Sequence, residues 1–214
     1  LGAEQWRVLR AWFAGLDPKK SRNYVLVSSV PIFYRVAERA NIAASFSDEI
    51  RDDLLDTWTS EPNAPEWKEL VNEIVIPWER GLRAIIVSGD YHMSSVCRIT
   101  ARTEAEPKVV AYEIITSGLA AEAYGGWKQK MGRDGLFIDD PIELRGRMLD
   151  CEFGHSDTLP NFGGIEFVRG EPTVSIFETT EEGSTQYKVP LQWEGQLQDL
   201  EDLTKRAERP ISAP

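Results

Sequence analysis

Five short runs rich in β-branched and aromatic residues follow one another between residues 94 and 193, and they constrain the fold more than any other feature. They read SSVCRITA, KVVAYEIITSG, GGIEFVRG, TVSIFETT and QYKVPLQW. Turn sequences such as VRGEPT and TEEGST separate the later runs at a spacing typical of hairpins. The pattern predicts that the C-terminal half of the chain is built from successive strands.

The first 90 residues follow a different pattern, in which helical spacing alternates with strand-like runs. Residues 4–16 and 64–76 carry apolar side chains at helical spacing, and we expect Pro77 to end or kink the second helix. The short apolar runs YVLVSSV and LRAIIVSGD are typical of buried strands. Strand, helix and strand joined by short connections predict an α/β protein whose sheet is flanked by helices.

Three other segments complete the predicted organisation. Residues 48–58 are predicted to be helical, and the glycine-rich residues 119–161 are predicted to be largely irregular. From Glu194 onward we expect a peripheral helix and a tail. No internal repeat or convincing linker divides the chain, so we predict one domain over residues 1–193, followed by the peripheral segment 194–214.

Composition excludes several classes of function. The 35 acidic residues outnumber the 24 basic ones, for a net charge of −11, so no basic stripe is expected to bind a nucleic-acid backbone. No 18-residue apolar run predicts a membrane span, and no secretory signal is visible, which leaves the compartment open. Cys97 and Cys151 lack the spacing of a metal motif or a disulfide framework, and we expect free thiols.

The stretch AIIVSGDYHMSSVCRI places one of the chain's two histidines just after a buried strand. If the extended backbone continued, Asp90 and His92 would share a face, because side chains two residues apart on a strand point the same way. A carboxylate and an imidazole are suitable ligands for Zn, Fe or Mn. The alternative is that His92 is an ordinary hydrogen-bonded histidine and Asp90 caps a turn.

This stretch resembles the late metal-binding motif of PhoD-like metallophosphatases, a branch of the calcineurin-like metallophosphoesterase superfamily. That motif is an apolar strand followed by Ser-Gly-Asp-x-His, matched here from Ser88 to His92. Further similar motifs occur in the family's order: LGAEQWRVLRAWF with Gln5, VLVSSVPIFY, RDDLLDTW with Asp56 and Trp58, and NFGGIEF. Together they cover about residues 1–193.

The resemblance implies a fold and an activity. It implies an α/β protein that forms part of an α/β/β/α sandwich, with a mixed sheet flanked by helices and a β-rich C-terminal half. It also implies a metal-dependent phosphomonoesterase or phosphodiesterase, in which metal ions activate a water and neutralise the phosphoryl oxygens. The family's remaining metal ligands belong to earlier motifs that this sequence lacks, so we expect the C-terminal half of a catalytic domain.

The same resemblance assigns roles to individual residues. It makes Asp90 and His92 catalytic metal ligands for Fe, Zn, Mn or Ca, without deciding among these ions. The expected partner is a phosphorylated small molecule, and five residues are predicted to contact it: Asp56, Trp58, Tyr91, Asn161 and His155. A second hypothesis is a catalytically inactive fragment, or a half-domain that self-associates or complements another chain through exposed strand edges.

Several of these assignments have simpler alternatives. Asp52 and Asp53 are best explained as a solvated helix face, whereas Asp56 and Trp58 could support the metal or form a wall of the substrate pocket. His155 lies in the stretch CEFGHSDTLPNFGG, where a histidine that stabilises a loop is the alternative to a metal or substrate ligand. The Asn161 side chain is equally suited to capping a turn.

Overall fold

A computed structural model of the chain describes residues 1–33, 57–117, 141–144, 146–180, 183–194, 197–203 and 205–206. Helices and strands alternate in the N-terminal part, in the order α1 (Ala3–Gly15), β1 (Asn23–Val27), α2 (Ala64–Glu79) and β2 (Arg83–Ser88). Strands then follow one another: β3 (Ser94–Ala101), β4 (Lys108–Ile115), β5 (Ile142–Leu144), β6 (Arg147–Asp157), β7 (Asn161–Val168), β8 (Glu171–Thr180) and β9 (Gly183–Pro190). The short helix α3 (Leu200–Leu203) and the two-residue strand β10 (Lys205–Arg206) come last.

Six strands form a mixed sheet in the order β1-β2-β4-β3-β6-β5. Strands β1, β2 and β4 are parallel, whereas β3 is antiparallel to both β4 and β6, and β5 is antiparallel to β6. Strands β7, β8 and β9 form a second, antiparallel sheet, to which β10 adds at the β9 edge. The predicted α/β class, with a mixed sheet and a β-rich C-terminal half, is confirmed.

Helices α1 and α2 cover one face of the six-stranded sheet. Apolar side chains at helical spacing, among them Trp6 and Phe13 of α1 and Val71 and Ile74 of α2, are buried in a cluster with the sheet. Helix α1 begins where Gln5 Oε1 accepts the Gly2 N–H at 2.8 Å. Burial of this apolar surface from water is the main force that holds the helices against the sheet.

The second sheet packs on the opposite face of the six-stranded sheet. The core between the sheets joins apolar side chains of β2, β3 and β4 to Val174 and Ile176 of β8 and Val189 of β9. Tyr112 and Trp193 meet edge to face, with ring centroids 5.1 Å apart, and the Tyr112 hydroxyl donates to Gln192 O at 2.7 Å. The result is a helix–sheet–sheet arrangement.

Three predicted elements differ from the structure. Residues 147–157, expected to be irregular, form the long strand β6, because they pair with the buried strand β3. Pro77 does not end its helix, which continues for two more residues to Glu79. The peripheral helix predicted from Glu194 onward is the four-residue α3, followed by β10.

The predicted helix over residues 48–58 lies mostly outside the described residues, and residues 57–58 belong to a turn. Within the described part of the chain, no helix has the length and apolar character needed to cross a membrane.

Candidate functional site

Three neighbouring parallel strands end at one edge of the six-stranded sheet, and small polar residues follow each of them. Residues 28–29 follow β1, residues 89–90 follow β2 and residues 116–117 follow β4. The Ser28 N–H donates to Val87 O and the Thr116 N–H donates to Ser88 O, both at 2.9 Å, so the three chain segments stay side by side. The carboxyl edge of an open α/β sheet is where such folds bind ligands.

Gly89 begins the loop of residues 89–93, which connects β2 to β3 at this edge. A side chain at Gly89 would place its Cβ 3.1 Å from Thr116 O and 3.8 Å from Ser29 O. The first of these distances is tighter than an ordinary contact and the second is not, so glycine lets the loop leave β2 close to the backbone that follows β4.

Asp90 and His92 occupy the 89–93 loop in an uncommon backbone conformation. Their φ angles are 71° and 50°, in the left-handed region that residues other than glycine adopt only rarely. The prediction that both side chains share the face of a continuing strand is therefore wrong, because the backbone is not extended at either residue. Left-handed backbone costs a residue with a side chain roughly 1–2 kcal/mol, and such costs concentrate at functional sites.

The residues of the loop differ in exposure. Asp90 is exposed and His92 is half-buried, whereas Tyr91 between them is 8% exposed. The Tyr91 ring packs with Met93, Ile115 and Phe153 in a small cluster at the base of the loop. Tyr91, predicted from the resemblance to contact substrate, therefore holds the loop to the sheet, while Asp90 faces solvent.

Trp58 is brought to the same edge of the sheet as the loop. Its indole Nε1 donates to Ser28 Oγ at 3.2 Å, and the Ser28 hydroxyl donates to Val30 O at 2.6 Å. The half-buried ring contributes to the wall of an apolar groove of about 570 Å³ between α1 and β1. Asp56, together with Asp52 and Asp53, lies outside the described residues.

Asn161 is fully buried at the start of β7, in the second sheet. Its Oδ1 accepts the Ser117 N–H at 2.9 Å, and its Nδ2 donates to Leu159 O at 2.8 Å. Both polar atoms of the amide are thus bonded inside the protein. Asn161 links the second sheet to the end of β4, and its contact with substrate stays a prediction.

His155 lies in the strand β6, not in the loop that the sequence suggested. Its Nε2 hydrogen-bonds to the buried carboxylate of Glu178, and its ring stacks on Tyr187 with centroids 4.1 Å apart. Ser94 donates a second hydrogen bond to the same Glu178 oxygen. His155 therefore joins the two sheets through Glu178.

Glu113, in the middle of β4, is a buried carboxylate that the sequence analysis did not single out. Its two oxygens accept the N–H groups of Ile32 at 2.7 Å and Phe33 at 2.8 Å, and Ser88 donates to it at 3.0 Å. Burial in an apolar surrounding raises the Glu113 pKa to about 7, although these three hydrogen bonds oppose the shift. Glu113 thereby holds the segment after β1 against β4 and the end of β2.

The signal for Glu113 and Glu178 was present in the sequence. Glu113 interrupts the apolar run VVAYEII, and Glu178 follows Val174 and Ile176 at the alternating spacing of one strand face. A carboxylate at an inward position of a strand must be hydrogen-bonded, because burying it without partners is costly. Both residues are at most 1% exposed, and both are bonded in this way.

Asp90 and His92 have the chemistry of metal ligands, and they are the residues that would hold an ion at this edge. Among the residues that the structure describes, no group of three or more histidine, cysteine, aspartate or glutamate side chains is arranged to bind a metal. The pair would therefore provide part of a coordination shell, with the rest coming from water, substrate or protein groups beyond this set.

Comparisons of the chain with protein-family models, with curated proteins and with solved structures found no match.

Proposed function

We propose that this chain contributes to a metal-dependent phosphoric ester hydrolase, with Asp90 and His92 as its metal-holding residues. The observation that carries the proposal is the left-handed backbone of both residues, at the carboxyl edge of three parallel strands. Glycine would adopt these angles with less strain than aspartate or histidine. The similarity of the SGDYH stretch to the PhoD-like motif supplies the phosphoester chemistry.

Neighbouring residues position the loop that contains the two proposed ligands. The exposed Asp90 carboxylate supplies negative charge in the 89–93 loop, and the half-buried His92 imidazole lies two residues further along. Tyr91 anchors the loop between them, and Trp58 stands at the end of β1 as an aromatic wall. A di- or trivalent ion bound here would polarise a phosphoryl oxygen and lower the pKa of a bound water.

Hydrolysis of p-nitrophenyl phosphate and bis-p-nitrophenyl phosphate tests this function. The chain is assayed after loading with Fe, Zn, Mn or Ca, each in turn. Substituting Asp90→Ala is expected to lower kcat/KM by more than about 100-fold, beyond the 10–100-fold cost of losing an outer partner of a metal ligand. Asp17→Ala is the matched control, because the Asp17 carboxylate accepts the Lys19 N–H at 3.0 Å in the turn that follows α1.

The proposal fails if no metal supports hydrolysis above the rate of the buffer, or if Asp90→Ala and Asp17→Ala retain equal activity. Preference for the monoester or the diester would distinguish a phosphomonoesterase from a phosphodiesterase.

A second candidate function is self-association through the edge of the six-stranded sheet. Within the described part of the chain β1 pairs only with β2, and Val27 on this edge strand is 76% exposed. Val8 and Trp12 of α1 are also exposed beside it, at 52% and 39%. An open strand edge with apolar neighbours is suited to pairing with a strand of a second copy.

Light scattering after size-exclusion chromatography tests this candidate. A dimer that the charged edge substitution Val27→Lys converts to monomer would support it, because an edge lysine opposes strand pairing. Val168→Lys, an exposed valine on the edge strand β7 of the other sheet, is the control. A monomeric wild-type chain would exclude self-association.

A further inference from the structure

The second sheet is connected to the 89–93 loop by a chain of short hydrogen bonds. Asn161 at the start of β7 accepts the Ser117 N–H at 2.9 Å. The Ser117 hydroxyl then accepts the Met93 N–H at 2.6 Å and lies 2.9 Å from Met93 O, to which it donates. Two residues after β4, Ser117 thus bonds the amide and the carbonyl of the last residue of the loop.

The Asn161 amide is held in one orientation. Its Nδ2 donates to Leu159 O at 2.8 Å, so the Oδ1 is directed to Ser117. The side chain is 0% exposed, and water therefore does not compete for either atom. A buried hydrogen bond whose partner is removed costs the desolvation of the group left behind.

Close packing two residues further along β7 supports the same contact. A Cβ on Gly163 would lie 2.6 Å from Thr116 Cγ2, closer than a real contact allows. Glycine at this position therefore lets β7 approach the residue next to Ser117. The asparagine and the glycine of the NFG stretch serve one contact between the sheets.

We infer that Asn161 and Ser117 are positioning residues, through which the second sheet sets the backbone of the 89–93 loop and the direction of Asp90 and His92. The consequence for metal binding rests on the proposed function, whereas the consequence for the loop does not. The hydrogen bonds of Asn161 lead to the loop through Ser117 and Met93.

Amide hydrogen exchange at Met93 tests the inference without any metal. Asn161→Ala leaves the Met93 hydrogen bond itself chemically intact, so a change at Met93 reports transmission through Ser117. We expect exchange of the Met93 amide to accelerate by at least about 10-fold. The control is Asn23→Ala, because Asn23 Nδ2 also bonds a backbone carbonyl of the second-sheet region, Gly170 O at 2.6 Å, at the opposite edge.

Ser117 supplies a second pair of variants. Ser117→Ala removes the hydroxyl that holds Met93, and Ser117→Thr restores a hydroxyl at the same atom. Exchange of the 89–93 amides should accelerate in the alanine variant and return to within about 3-fold of wild type in the threonine variant. This pair also decides the question if Asn161→Ala does not fold, as judged by circular dichroism.

Titration with Mn²⁺ adds the second readout. If the proposed function holds, Asn161→Ala and Ser117→Ala should weaken Mn²⁺ binding by 10–100-fold, the usual cost of losing an outer support of a ligand. Unchanged Met93 exchange in Asn161→Ala, or an equal acceleration in Asn23→Ala, would overturn the positioning role. Accelerated Met93 exchange in Asn161→Ala, together with a wild type that binds no Mn²⁺, would overturn the metal function and leave the positioning role standing.

Discussion

Asp90 and His92 are placed by their own backbone as much as by their neighbours. Each adopts a left-handed conformation that favours glycine, within a loop of five residues. Aspartate and histidine are among the side chains that tolerate this region best, which explains how the loop can present two metal-binding groups without unfolding. The energetic cost remains, and it can be measured by substitution.

Substitutions at His92 separate the backbone cost from the loss of the imidazole. Both His92→Gly and His92→Ala remove the ring, but only alanine retains the strain at a φ of 50°. The glycine variant should exceed the alanine variant in free energy of unfolding by about 1 kcal/mol, measured by urea denaturation. If residue 92 were extended, the order would be reversed, because glycine destabilises an extended strand relative to alanine.

Glu113 predicts a specific pH dependence of stability. Because burial raises its pKa from 4.5 to about 7, the folded protein keeps the proton over a range in which the unfolded chain has lost it. The contribution of Glu113 to stability is therefore fully present below pH 4.5 and is lost as the pH rises to about 7. The free energy of unfolding of wild type, relative to that of Glu113→Gln, should therefore fall by up to roughly 3 kcal/mol across this pH range.

Urea denaturation of the two proteins at several pH values measures this difference. Groups other than Glu113 titrate in both proteins and cancel in the comparison. A difference that stays constant between pH 4.5 and 7 would mean that the Glu113 pKa is not raised.

At the residue scale, the sequence indicated which residues to consider better than it indicated how their side chains are buried. The SGDYH stretch indicated Asp90 and His92, because their spacing and the similarity to a family motif can be read from the sequence alone. The burial of Tyr91 and Asn161 was not predictable, because it depends on contacts with Ile115 and Ser117 from distant strands. Their predicted substrate roles were inferred from position in a motif, which does not specify where a side chain points.

At the scale of elements, the contact between β7 and the end of β4 depends on one of two adjacent glycines. Gly163→Ala should lower the free energy of unfolding by about 1–3 kcal/mol, because its Cβ would overlap Thr116 Cγ2. Gly164→Ala is the control and should be tolerated, since nothing lies within 4 Å of its Cβ position. Both are measured by thermal and urea unfolding.

A double substitution isolates the overlap. Thr116→Ser removes the Cγ2 methyl that a residue 163 side chain would meet, so Gly163→Ala should cost less in that background. Equal costs in the two backgrounds would mean that the destabilisation has another origin.

The elements themselves were predictable where periodicity was strong. Apolar periodicity in the sequence predicts several elements that the structure contains: α1, α2, β2, β3, β4 and β8. Strand β6 was missed because RMLDCEFGHSD contains charged, glycine and apolar residues without clear alternation. It is a strand because β3 and β5 pair with it on both sides, and pairing between distant segments is not encoded locally.

At the scale of the whole molecule, two sheets meet over an apolar core, and buried polar groups link them near the end where β2 and β4 finish. Glu178 with His155 and Ser94, and Asn161 with Ser117, all link the six-stranded sheet and its connections to the second sheet. These links lie towards the edge where β2 and β4 end. The arrangement of the sheets therefore bears directly on the loop that contains Asp90 and His92.

Calorimetric titration of the chain with Mn²⁺ tests the central claim most directly. The chain has two histidines, so each serves as the control for the other. We predict that the wild-type chain binds Mn²⁺ saturably and that His92→Ala abolishes this binding. The His155→Ala variant should still bind Mn²⁺, because His155 is bonded to Glu178 between the sheets. Absence of binding in the wild type, or equal binding by wild type and His92→Ala, would contradict a metal site at this loop.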